Sequence, residues 1–419
     1  MTLNLQQEAL EVTDALEAQE LFFRNGWTDG LPVVPPTANK IEAMLSAVPM
    51  EPQTIIGSIP ERGSTFSLEV TAVNSVMAGC LPEYFPVIVA AVSAICDPDF
   101  GLHGPSSSTH GPAILIIVNG PVAHAIGLNH GQNLFGSGNR ANACIGRAVR
   151  LLLLNAGGVR EFDRSTLGHG GKYSYCIAEN EKTDWKPLHV QKGFESYVST
   201  VTVFAGEAPN QSQNHTALKA ESILLTLADR MSALGTFNMA GRSEMVIVLC
   251  PEHYLTCHEQ GWDKERVQQF LQEHAFRTRA NLIRGGCLEE ELKTSDEEER
   301  IHAVKSPDDI LLLVAGGEAG RFSACIPGWG SQHYCRSVIP AIMAMVIGVI
   351  LLPELKREFE ETFSFLDWGT GLGSSLAALA LISSCFPLRR AAFLKDMGEG
   401  DLFLGRDPFP FRRYDHTLF

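Results

Sequence analysis

The chain has 419 residues, more than one hydrophobic core usually serves, so two domains are expected. Hydrophobic residues at 45% and charged residues at 19% exclude a disordered chain and describe an ordinary globular protein. A formal net charge of −15 excludes the basic footprint that non-specific nucleic-acid binding needs.

The amino terminus is acidic and lacks a basic stretch followed by an apolar one, so no signal or transit peptide is expected. Ten cysteines are spread along the chain without a close C-x-x-C pair. That spacing favours reduced thiols and a cytoplasmic location over a disulfide framework.

In chain order, Ala9, Leu10, Val12, Leu16, Leu21 and Phe22 recur at near-helical spacing and predict a helix over residues 7–25, closed by Gly26. The prolines of Trp27 to Thr37 favour an extended path, either a rigid connector or a substrate wall. A short helix is expected from Lys40 to Val48. Two further helices are expected at Ser67 to Ala78 and Phe85 to Ile95. Cys80 falls in the turn between them, near the start of the second, where backbone amides can lower a thiol pKa. A buried structural cysteine is the competing reading.

The polar loop 101–112 carries His103 and His110 and leads into Ala113 to Asn119, an apolar run that reads as a buried, parallel strand. Ligands of α/β proteins gather at the loops flanking such strands. Further on, Tyr197 to Phe204 alternates as a strand, Pro209-Asn210-Gln211 reads as a solvated loop, and Thr216 to Leu234 reads as a helix. A second α/β unit opens with strand Met245 to Leu249 and continues in helices through His274. The acidic run 289–300 reads as a solvated face or linker. Strand Ile310 to Ala315 empties into a glycine-rich turn, with Arg321, Ser323 and Cys325 beyond it as a second ligand-loop candidate. The apolar runs 337–352 and 373–387 are too short or too broken by serines to span a membrane, so buried core helices are expected.

The stretch 129–189 holds the densest run of reactive side chains between glycines and reads as the active-site module. Gly136-Ser137-Gly138 opens a helix running to about Asn155, with Ile145, Ala148, Val149, Leu152 and Leu153 on its apolar side. Arg140, Cys144 and Arg147 share the opposite side, and together with Asn142 and the glycine loop they form an anion site. The G-x-G-x-x-A spacing resembles a dinucleotide fingerprint, but no strand directly precedes it and no acidic ribose ligand follows. Tyr173 to Glu181 then reads as a strand, with Tyr175, Ile177 and Glu179 on one face and Ser174 and Cys176 on the other. Lys172 and His169 stand at its mouth, where they could depress a thiol pKa or hold an oxyanion.

Gly26-Trp27-Thr28-Asp29-Gly30-Leu31-Pro32 through Thr37, Ala72-Val73-Asn74 through Tyr84, Arg140-Ala141-Asn142 with Ile145-Gly146-Arg147-Ala148, and Gly171-Lys172-Tyr173 through Glu181 together resemble a widespread, poorly characterised microbial family. Its members are found alongside, or related to, small selenocysteine or cysteine proteins named for a U-G-S-C motif. The likeness spans roughly residues 20–335 and implies an enzyme-like pocket with thiol or selenol redox chemistry. It assigns no reaction, so no catalytic residue is carried over. Phe322-Ser323-Ala324-Cys325 stands where a U-G-S-C string would be sought, which is a departure from that motif.

The expectation is an α/β protein of two α/β units, buried strands flanked by helices. Residues 1–240 carry the main site, and 241–419 carry a glycine-rich loop and apolar helices. The leading function is a cytosolic enzyme acting on a small anionic molecule through cysteine chemistry. Cys80, Cys144 or Cys176 would be the thiol, Arg140, Arg147, Lys172, Asn142 and Ser323 would bind substrate, and His169 or Glu179 would move protons. One alternative is a metal-dependent hydrolase or lyase, with a divalent ion held by His103, His110, Glu179 and His189. Another is a non-catalytic small-molecule binder. Neither nucleic acid nor membrane is an expected partner, and a homo-oligomer is compatible with the sequence.

Overall fold

Asp14 sets the first boundary. Its carboxylate caps the Leu16 and Glu17 amides, so the helix is Ala15–Arg24, and residues 10–14 before it are not helical. This computed structural model describes residues 10–241 and 243–329, all within one compact unit, Met1–Val346. The runs 337–352 and 373–387 lie outside the described residues.

The strands are β1 Ile55–Ile59, β2 Ser64–Ser67, β3 Ala113–Asn119, β4 Cys176–Ala178, β5 Thr200–Gly206, β6 Asn210–Gln213, β7 Met245–Leu249, β8 Phe276–Thr278, β9 Arg300–His302, β10 Ile310–Val314 and β11 Phe322–Pro327. One sheet runs β4-β3-β5 and another β10-β7-β11-β6, with β1-β2 and β8-β9 as small antiparallel ribbons. With helices flanking these mixed sheets, the protein is α/β. β3 is parallel to β4 but antiparallel to β5, where Asn119 stands opposite Thr200. The strand expected over 173–181 thus contracts to three buried residues, and Gly170–Lys172 before it is a short 3-10 turn.

Pro209-Asn210-Gln211 is not a free loop, because residues 210–213 form the polar edge strand β6 on β11. The glycine turn after β10 likewise ends early. Phe322–Pro327 is an interior strand, antiparallel to β7. The two larger sheets share a core: Leu115, Ile117, Ile177 and Phe204 of the first meet Val246, Leu313 and Ile326 of the second. The second sheet also buries Ile247 and Leu312 with Leu224 and Leu227 of helix Ala220–Met231 and Leu271 of helix Lys264–His274.

Helices Leu68–Met77, Phe85–Ile95 and Arg140–Asn155 pack on one another, and Phe85–Ile95 also lies against β5. The central helix, Arg140–Asn155, reaches the chain before β4 at Gly146, where any side chain would strike the Tyr175 amide and the Ser174 hydroxyl. Among the described residues, no helix is long and apolar enough to cross a membrane.

Candidate active site

Three loci carry the chemistry-bearing residues. The first joins the start of the central helix to the turn after Leu68–Met77. Gly79, at φ +87°, reverses the chain in a conformation other residues rarely adopt. Its carbonyl accepts two bonds from Arg140, from Nε at 3.1 Å and Nη2 at 2.8 Å. Cys80 Sγ donates to the Cys144 carbonyl at 3.3 Å. Asn139 caps the helix, accepting from the Asn142 amide. Asn142 itself is buried and spends its side chain on the backbone of Asn129 and Cys176.

The three candidate thiols diverge here. Cys144 is half-buried, and its pKa falls to about 7. The adjoining Cys80 side chain is the main cause; burial opposes it, and the Arg140 charge assists. Cys80 is held well above the usual thiol range by burial and by the adjoining Cys144, so it remains a thiol and donates. Burial alone raises Cys176. Of the three, Cys144 is the thiol most readily ionised.

The second locus begins about two turns along the same helix. Arg147 grips Asp29 through Nε at 2.7 Å and Nη2 at 2.8 Å, and Nη2 also donates to the Pro32 carbonyl at 2.8 Å. The Asp29 side chain is only 3% exposed, so the charge of Arg147 is already matched. This clamp lays the proline-rich segment against the central helix, while Trp27 stays partly exposed beside Phe22. Next to it opens a cleft of about 610 Å³ whose polar lining includes Asp29, Arg150, Arg160, His169 and Lys172. Lys172 Nζ binds both Asp163 oxygens, at 2.8 and 3.1 Å, and Arg150 reaches the same carboxylate at 3.2 Å. Burial works against the Asp163 carboxylate, but its bonds to Lys172 and Ser165 outweigh that and hold the carboxyl below the usual range. His169 Nδ1 accepts from the Gly171 amide, so its proton sits on Nε2 facing the Gly206 carbonyl at 3.2 Å. Burial lowers its pKa further, and both nitrogens are engaged.

The third locus lies beyond the carboxyl ends of β3 and β4. Glu179 is buried, accepting from Asn119 Nδ2 and the Leu188 amide at 2.7 Å each, with the buried Lys264 ammonium 3.5 Å away. His189 is wholly buried, its Nδ1 3.7 Å from Glu181.

The remaining candidates stand elsewhere. His103 accepts from Arg62, and His110 pairs with Glu207 at 2.9 Å while stacking on Phe237. The four proposed metal donors thus form no single set: Glu179 and His189 share the third locus, while His103 and His110 are bonded to Arg62 and Glu207. Among the described residues, no group of three or more His, Cys, Asp or Glu side chains could hold a metal ion. Ser323 is 2% exposed on β11, bonded to His253 Nδ1 at 2.7 Å and to the Cys250 amide, so it faces the interior and not a ligand.

Sequence reasoning passed over Arg150, Arg160, Asp163 and Glu207. Arg150 was legible as the residue one turn beyond Arg147. Arg160 follows a helix end with no periodic signal, and Glu207 meets His110 across 97 positions. No protein-family model, curated protein or solved structure matches the chain.

Proposed function

We propose that the protein is a thiol-dependent enzyme in which Cys144 is the nucleophile or redox thiol for a small anionic molecule. The supporting observation is the Cys80–Cys144–Arg140 arrangement: a half-buried thiol beside a thiol donor and an exposed guanidinium, at the start of a capped helix. Two nitrogens of Arg140 fix the Gly79 turn, which holds its positive charge beside Cys144, where it would also meet substrate charge. In this reading Cys80 tunes Cys144, while Asn142, Arg147 and His169 position the backbone around it. Glu179 belongs to a buried ion pair and is no proton carrier. The likeness to the family associated with U-G-S-C proteins points toward the same redox chemistry. Its thiol usage favours a cytoplasmic location.

The test is oxidation with stoichiometric hydrogen peroxide, followed by mass-spectrometric mapping of every cysteine. Cys144 should be modified first. Preferential modification of other cysteines, with Cys144 left intact, rules the reading out.

A further inference from the structure

The cleft beside the Asp29–Arg147 clamp holds more positive charge than the protein itself balances. Three cations, Arg150, Arg160 and Lys172, line it with one carboxylate, Asp29, and two partners stand behind the lining, Arg147 on Asp29 and Asp163 on Arg150 and Lys172. Asp29 is consumed by Arg147, and Asp163 is shared between Arg150 and Lys172. Two positive charges are left over. Arg160 has only neutral acceptors, the Thr28 carbonyl and Asn155 Oδ1. Burial and the nearby charge of Arg150 both weaken its hold on its proton, and the Asp29 carboxylate, already bonded to Arg147, offsets them only in part.

We propose that this cleft binds a small organic dianion, a phosphomonoester or a dicarboxylate carried on an apolar body. Two surplus charges on planar forks and an ammonium match two negative charges on adjoining oxygens. The volume, about 610 Å³, lies in the range of small-molecule sites. The rim supplies the apolar contact: Phe23 is 39% exposed, Tyr173 52% and Leu167 92%, all against a charged floor. The inference does not rest on the thiol reading, because no cysteine lines the cleft.

Calorimetric titration of the full chain at low salt and about pH 8 tests it, with phenyl phosphate and succinate as dianions and benzoate as the monoanion. Either dianion should bind about tenfold more tightly than benzoate, and which of the two does so identifies the headgroup. Arg160→Gln should weaken dianion binding about tenfold, and Cys144→Ser should leave it unchanged. Leu167→Asp, at a rim position 92% exposed, should weaken dianions more than benzoate by adding a like charge. Absence of binding by both dianions, equal binding of dianions and benzoate, or wild-type affinity in both Arg160→Gln and Leu167→Asp overturns the proposal.

Discussion

A thiol that titrates at about 7 leaves a signature that a merely exposed cysteine does not. At pH 7 such a group is about half thiolate, against about 3% for an ordinary thiol of pKa about 8.5. The gain in reactive form is about 16-fold. A less basic thiolate is also a weaker nucleophile, and a Brønsted slope of about 0.45 over that difference removes about fivefold. Cys144 should therefore exchange with a neutral dipyridyl disulfide about threefold faster than a reference thiol at pH 7. At pH 9 both are mostly ionised, and Cys144 should be about fourfold slower. The crossover between those values is the diagnostic, read by following exchange against pH and mapping the adduct to Cys144. Cys80→Ala removes the side chain that lowers the pKa and should move the midpoint upward, while Cys80→Ser keeps a hydrogen-bonding group there and should restore it. A wild-type midpoint at or above about 8.5, or no movement in Cys80→Ala, refutes the reasoning.

Other expectations follow from the ion pairs. Asp29→Asn leaves Arg147 with carbonyl partners only and should lower unfolding free energy by about 3 kcal/mol in urea, while adding Arg147→Met should recover part of the loss; strict additivity would mean the pair is not coupled. Glu179→Ala strands a buried ammonium and should cost about 3–5 kcal/mol, largely relieved by Lys264→Met, whereas a stable single variant would contradict the buried pairing. The Asp163 carboxyl is depressed in the folded state, so its stabilisation is complete above the unfolded pKa and is lost as pH falls below about 4. The stability gap between wild type and Asp163→Asn should close over that acid range, and a gap constant down to pH 2 would falsify the assignment.

Local patterns were legible where burial is one-sided. The apolar stripe of Arg140–Asn155, the helix pair around Cys80, and the runs that became β3, β7 and β10 follow from periodicity and run length. Boundaries were lost to single side chains: Asp14 sets the helix start at Ala15 and leaves residues 10–14 outside it, because a cap outweighs a weak stripe. β6 hid because a polar edge strand has no alternation to detect, and Ser323 was misplaced because glycines before β11 looked like the whole loop. At the site, residue types were visible but their partners were not. Arg147 reads as an anion binder until Asp29, 118 positions away, is found already in its grip. Cys80 and Cys144 each read as a candidate thiolate until burial is seen to raise the first and its neighbours to lower the second.

The Asp29–Arg147 clamp has one more consequence. Residues 27–37 are held to the protein by side chains from elsewhere: this clamp, Asn155 on the Trp27 carbonyl, Arg160 on the Thr28 carbonyl and Gln19 on the Val33 backbone, with the Val34 amide on the Met77 carbonyl at 3.0 Å. Release of this segment would remove one wall of the cleft. A solute that needs that wall binds only the closed form, so by linkage it holds the segment shut by RT ln(1 + [L]/Kd), about 2.7 kcal/mol at a hundredfold excess over Kd. Amides of residues 27–37 would then exchange with solvent more slowly, including those such a solute never touches.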